Sequence, residues 1–143
     1  MPQSANAQLI TRLFQEVARG NGAVFWEHVH DDAVWRTIGT SSWSGTFKGK
    51  ANIINDIFRP LARRLASRST ITTRIIDGGD VIVVQAIGKN RTHTGVPYEN
   101  DYCFVIGFRD GKIASYEEYC DTEHITQVLG DRMAVWKPIE KAS

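Results

Sequence analysis

The sequence predicts an α+β fold in which helices pack on one face of a bent antiparallel sheet. Three observations carry this. Apolar residues recur at helical spacing between Leu9 and Leu65. From Ser69 onward the period changes to two, the spacing of strands. Two turn signals, Gly78-Gly79 and Asp110-Gly111, fold the second half into hairpins.

Each element follows in turn. Ser4 or Asn6 can cap a first helix that sets Leu9, Ile10, Leu13, Phe14 and Val17 on one face, and Gly20-Asn21-Gly22 ends it. A short second helix, Ala23 to Val29, presents Val24, Phe25 and Val29. Residues 31–38 alternate as a strand, and residues 39–49 form a loop that embeds Trp43 and Phe47. A longer helix over 51–65 contains Pro60, which predicts a kink or a break. Residues 69–77 and 80–92 are strands joined at Gly78-Gly79, and a terminal helix begins near Thr122.

The last strand pair carries the most information. A two-residue turn at Asp110-Gly111 sets Arg109 opposite Lys112. The register then pairs Phe108 with Ile113, Ile106 with Ser115, Phe104 with Glu117, Tyr102 with Tyr119 and Asn100 with Asp121. That face is apolar near the turn and ends in an amide and a carboxylate, the pattern of a pocket with one ionisable group. The opposite face, with Val105, Cys103, Tyr116 and Glu118, is smaller and mixed, suited to a helix or a second subunit.

A chain of 143 residues is expected to form one domain, residues 1–143. Its 42% hydrophobic and 23% charged residues are ordinary for a globular protein. A net charge of +1 gives no long-range field for nucleic acid, and the basic cluster from Arg59 to Arg68 reads as a solvated helix face. No apolar run reaches membrane-spanning length, and the opening residues lack the regions of a signal peptide, so a cytoplasmic location is expected. The register makes Cys103 and Cys120 only diagonal neighbours, which disfavours a disulfide. The Asn90-Arg91-Thr92 sequon then never meets the glycosylation machinery.

Three stretches resemble the nuclear transport factor 2-like superfamily: Asp31-Asp32-Ala33-Val34-Trp35, residues 43–50, and residues 98–122. The nearest branch is SnoaL-like, related to polyketide cyclases, limonene epoxide hydrolase and ketosteroid isomerases. The resemblance implies a cone-shaped, curved antiparallel (mixed) sheet closed by three helices, the cystatin-like α+β barrel. It also implies a deep apolar pocket, no required cofactor, a small hydrophobic ligand and a homodimer.

The family's chemistries transfer unevenly. Polyketide cyclases use a strand-end Asp before the last helix, and Asp121-Thr122 matches that setting. Epoxide hydrolases of this fold add an Arg-x-Asp on a preceding strand, where this chain has Val84-Gln85-Ala86-Ile87-Gly88. Steroid isomerases place a base near the end of the first strand, where Thr37 stands, and a protonated Asp where Asn100 or Asp101 falls. Neither of those two mechanisms is supported.

The candidate catalytic residues are therefore Asp121 as acid or base, Asn100 orienting it, and Tyr119 and Tyr102 as hydroxyl donors. Each has a plainer reading: Asp121 as a helix cap, Asn100 satisfying strand-edge backbone, the tyrosines as packing. The candidate pocket residues are Phe14, Trp35, Trp43, Phe58, Phe104 and Glu117, the last needing a cationic partner such as Arg74 if buried. His28, His30 and Asp32 have metal-like spacing but span a helix-to-strand transition without a third placed ligand, so no metal site is expected. The expected function is a cofactor-independent cyclase, isomerase or hydrolase that moves a proton on a small hydrophobic molecule. The alternatives are a non-catalytic binding or interaction module of the same fold, and a scaffold dimer with a filled cavity.

Overall fold

Ser4 starts the first helix: its hydroxyl accepts the Ala7 N–H, and α1 runs Ala5–Ala18. Ala7, Ile10, Leu13 and Phe14 form its buried stripe. The computed structural model describes residues 2–134. Gly22–His28 is a 3-10 segment in place of the short α-helix expected at 23–29, and Val29 opens a strand instead.

Strand β1 spans Val29–Thr37, and β2, Gly45–Lys48, lies inside the stretch read as loop. The following helix breaks where Pro60 predicts. It consists of α2 (Lys50–Ile53), one π turn (Ile54–Phe58) and α3 (Arg59–Arg64). Pro60 has no N–H to offer the carbonyl of Asp56 four residues earlier, and Arg132 Nη1 donates to that carbonyl at 2.7 Å.

The remaining elements are β3 (Leu65–Ser67), β4 (Thr70–Asp77), β5 (Val81–Gly88), β6 (Asn90–Thr92), β7 (Pro97–Tyr98), β8 (Asp101–Arg109), β9 (Lys112–Tyr119) and α4 (Thr122–Leu129). Six strands form a curved mixed sheet in the order β2-β1-β9-β8-β5-β4, with only β1 and β9 parallel. The edges β2 and β4 do not pair with each other, so the sheet stays open and the expected barrel does not close. The strand expected over 80–92 divides at Lys89: β5 stays in the large sheet while β6 joins β3 and β7 in a small one. Among the described residues no helix is long and apolar enough to cross a membrane.

The main core lies between the large sheet's inner face and the helices, with Ile10, Ile82 and Ile106 fully buried. A second core gathers Trp43, Leu65, Tyr98 and the inner face of α4. Here the solvated reading of the basic cluster fails for one member. Arg64 is 2% exposed and donates to the carbonyls of Leu129, Pro60 and Asp131 at 2.9, 2.9 and 2.8 Å. Its guanidinium also stacks 5.0 Å from the Trp43 ring. A cation at the carbonyl end of α4 complements the helix dipole.

Asp110 and Gly111 both have positive φ, 52° and 75°, the conformation of a type I′ hairpin turn. Arg109 faces Lys112 and Phe108 faces Ile113, as the sequence predicts. Beyond that the register shifts by one residue. Gly107 pairs with Ser115, Ile106 with Tyr116, Phe104 with Glu118 and Cys103 with Tyr119. The extra residue, Ala114, forms a β-bulge. Ile113 (1% exposed) and Tyr116 (5%) are both buried at a spacing of three, which strict alternation cannot achieve. The bulge exchanges the faces of everything after it on β9.

Candidate functional site

With the bulge in place, Tyr116 and Glu118 turn inward beside Phe104 and Tyr102, and all four line one cavity of about 360 Å³. The parallel neighbour β1 sets Trp35 beside Tyr116 and Thr37 beside Glu118. Trp35 and Tyr116 stack at 3.8 Å between ring centroids, 8° from parallel. Phe58, from the π turn, meets the Trp35 ring edge-on at 5.1 Å. The π turn adds one residue to the helical path and so rotates this side chain relative to α3.

Among the described residues Glu118 is the one acid in this lining. Thr37 Oγ1 donates to its Oε2 at a long 3.4 Å, and Cys120 Sγ donates to the same atom at 3.8 Å. Trp35 Nε1 holds the Thr37 hydroxyl from behind at 3.2 Å. Among the described residues no lysine, arginine or histidine forms an ion pair with Glu118. Burial pushes its carboxyl up to about 7, and the two weak donors offset only part of that rise. The Cys120 thiol is also raised, first by burial and then by the Glu118 charge, so it stays protonated as a donor.

The same lining carries a hydroxyl pair. Asn100 Nδ2 donates to Tyr98 Oη at 2.9 Å, and Tyr102 Oη donates to the same oxygen at 3.5 Å. With its acceptor capacity taken up, the Tyr98 hydroxyl keeps its own proton to give. Burial raises both phenols well above their ordinary value, so each is a neutral O–H donor.

Of the sequence candidates, Phe14, Trp35, Phe58, Tyr102 and Phe104 line the cavity. The others are placed elsewhere. Glu117 and Tyr119 lie on the outer face, where the Tyr119 hydroxyl donates to Glu117 at 2.9 Å and Arg36, not Arg74, approaches Glu117 at 3.7 Å. The bulge is the physical reason. Trp43 belongs to the second core, its Nε1 donating to the Gly130 carbonyl at 2.9 Å. Asp121 is exposed at the N-cap of α4, accepting the His124 N–H at 3.1 Å, and is not part of the cavity lining. Asn100 brackets the Asp121 backbone, accepting its N–H at 3.0 Å and donating to its carbonyl at 3.1 Å.

Glu118 and Tyr116 are the site residues that strict alternation put on the outer face, and Tyr98 is a lining residue just beyond the hairpin register that begins at Asn100. One signal for the first two was legible: two large side chains, Ile113 and Tyr116, three apart on a strand, with Ser115 between them set opposite Gly107. His30 Nε2 donates to the Arg109 carbonyl, and among the described residues no group of three His, Cys, Asp or Glu is arranged to hold a metal ion. Cys103 and Cys120 are both free thiols.

Comparison with known proteins agrees with the fold. A family model described as a SnoaL-like domain matches residues 10–116. No curated protein matches the chain. Among solved structures, an NTF2-like protein of unknown function from Burkholderia pseudomallei K96243 superposes with a TM-score of 0.77 at 18% identity, over 89% of this chain and 98% of the other. A candidate isomerase from Bacillus subtilis gives 0.72 at 20% identity, over 88% and 94%. A candidate SnoaL-like polyketide cyclase from Jannaschia sp. CCS1 gives 0.73 at 16%, over 91% and 95%. At such identities the likeness is one of fold.

Proposed function

The chain belongs to the SnoaL-like domain family, and we propose that it is a cofactor-independent enzyme of the cyclase, isomerase or hydrolase type, acting on a small hydrophobic molecule with Glu118 as the acid/base. The observation that carries this reading is a carboxyl group set among aromatic rings, with weak donors and no cationic partner among the described residues. Such a group exchanges protons near neutral pH, where an exposed carboxylate stays ionised.

In this reading the ionised Glu118 takes a proton from carbon next to a carbonyl, and the Tyr98 hydroxyl donates a hydrogen bond to the oxygen on which charge develops. Protonated Glu118 then returns the proton to a second carbon, which completes an isomerisation; in a ring closure the enolate carbon first attacks a second carbonyl of the same molecule, and the proton goes to the alkoxide that forms. The aromatic walls exclude water and strengthen both interactions. Glu118 stands across the parallel strand pair from Thr37. That is the strand end where steroid isomerases of this superfamily carry their base, so the carboxyl is supplied from the neighbouring strand. A homodimer is part of the proposal: the outer sheet face exposes Ile76 and Val81 beside Val83 and Val105, and sedimentation equilibrium measures its mass directly.

The test is turnover of ring ketones, terpene epoxides and aromatic polyketides, followed by native mass spectrometry for wild type, Glu118→Gln and Asp121→Asn. Wild type and Asp121→Asn are expected to convert the same compound, while Glu118→Gln binds it unchanged. Turnover that survives Glu118→Gln and disappears in Asp121→Asn overturns the assignment. Binding without conversion by wild type across the library identifies a binding module.

A further inference from the structure

Among the described residues the lining of the cavity holds two basic side chains as well as a single acid. Arg59 is the first residue of α3, and Arg68 follows β3. Both are exposed, so both stand at the mouth rather than among the buried aromatic walls. Among the described residues neither guanidinium has an ion pair, a side-chain hydrogen bond or a ring contact. That contrasts with Arg64 on the same helix, whose guanidinium is used up by backbone carbonyls. A site for an uncharged hydrocarbon has no use for two unpaired cations at its entrance.

We propose that the natural ligand is an aromatic or polycyclic acid whose carboxylate docks on Arg59 and Arg68 while its rings fill the cavity. The proposal rests on the reading of this cavity as the reaction site and names its substrate class. The physical case has three parts. A guanidinium presents a planar fork of donors that matches a carboxylate, and its charged hydrogen bonds are stronger than neutral ones. The aromatic walls supply burial for a ring system but no charge recognition. The two signs of charge also set direction: Glu118 repels a carboxylate, while the arginines attract it. The acid group therefore stays at the mouth, and the far end of the ring system is delivered to Glu118 and Tyr98.

The experiment uses N-phenyl-1-naphthylamine, a neutral dye that fluoresces on entering an apolar cavity, as a reporter. It is displaced by 2-naphthoate or by 2-acetonaphthone, which has the same rings and a methyl ketone in place of the carboxylate. For wild type, 2-naphthoate is expected to compete roughly tenfold better than the ketone, the scale of one charged hydrogen bond, and added salt erodes that preference. In Arg59→Gln/Arg68→Gln the preference is expected to vanish while dye and ketone affinities are unchanged. That result also shows that the cavity is intact. Equal competition by acid and ketone in wild type overturns the anion proposal and leaves the cavity reading standing. A dye that does not bind, or that no naphthalene displaces, overturns the cavity reading and with it this inference.

Discussion

A single methyl group added to Gly107 would overlap the side-chain oxygen of Ser115 on the adjacent strand. The two residues sit at the bulge, where the register of β8 and β9 changes. Gly107→Ala therefore forces the Ser115 hydroxyl into another rotamer and is expected to destabilise the fold by about 1 kcal/mol. Adding Ser115→Ala removes the clashing oxygen and is expected to recover most of the loss. Urea denaturation of both single variants and the double variant measures the coupling.

Glu118 makes stability depend on pH. Its carboxyl titrates at about 7 in the folded protein, against 4.5 for an exposed glutamate. Between those values the folded state holds a proton that the unfolded state has lost. Stability conferred by the protonated form is complete below about 4.5 and is lost as pH rises through about 7. Glu118→Gln is expected to flatten this slope and raise stability at pH 8 by ~2 kcal/mol. Melting curves from pH 5 to 8 for both proteins check the sign. Carbon-detected NMR of the Glu118 carboxyl gives its midpoint.

Asp121 is predicted to matter as a cap. Asp121→Ala is expected to cost about 1 kcal/mol through loss of the hydrogen bond to the His124 N–H. Asp121→Asn keeps an acceptor oxygen and is expected to lie within ~0.5 kcal/mol of wild type.

Arg64 holds the second core by geometry as well as charge. Arg64→Met leaves the Leu129, Pro60 and Asp131 carbonyls without their donor and is expected to cost roughly 3 kcal/mol. Arg64→Lys is expected to recover little, because one ammonium cannot reach three separated carbonyls as a planar fork does. Chemical denaturation and the exposure of Trp43 by fluorescence report both outcomes.

Much of the fold was legible because local chemistry and tertiary packing agree. The Ser4 cap, the stripe of α1, the break at Pro60 and the Asp110-Gly111 turn are each set by a few neighbouring residues. The site was legible only up to Gly107. Phe104 and Tyr102 fell on the correct face because β8 alternates without interruption. Glu118 and Tyr116 were placed outside because the bulge is a tertiary choice: it gains burial of both Ile113 and Tyr116 at the expense of one ladder position. Trp43 and Arg64 were misplaced for a related reason. A second core under α4 forms only when segments more than sixty residues apart meet, and no local period encodes that.

Glu117 and Glu118 are the same amino acid, adjacent in the chain, with opposite fates. One faces outward against Arg36 and Tyr119, the other looks into the cavity. Their roles are assigned by whether the count of residues from the turn is odd or even, and Ala114 sets that count. Taking Ala114 into the ladder as a paired residue would set Glu117 opposite Phe104 and turn Glu118 outward, exchanging the two acids without altering either. A doubled glutamate behind a bulge thus insures the cavity against a one-residue slip of register: whichever way the count falls, a carboxyl group points inward.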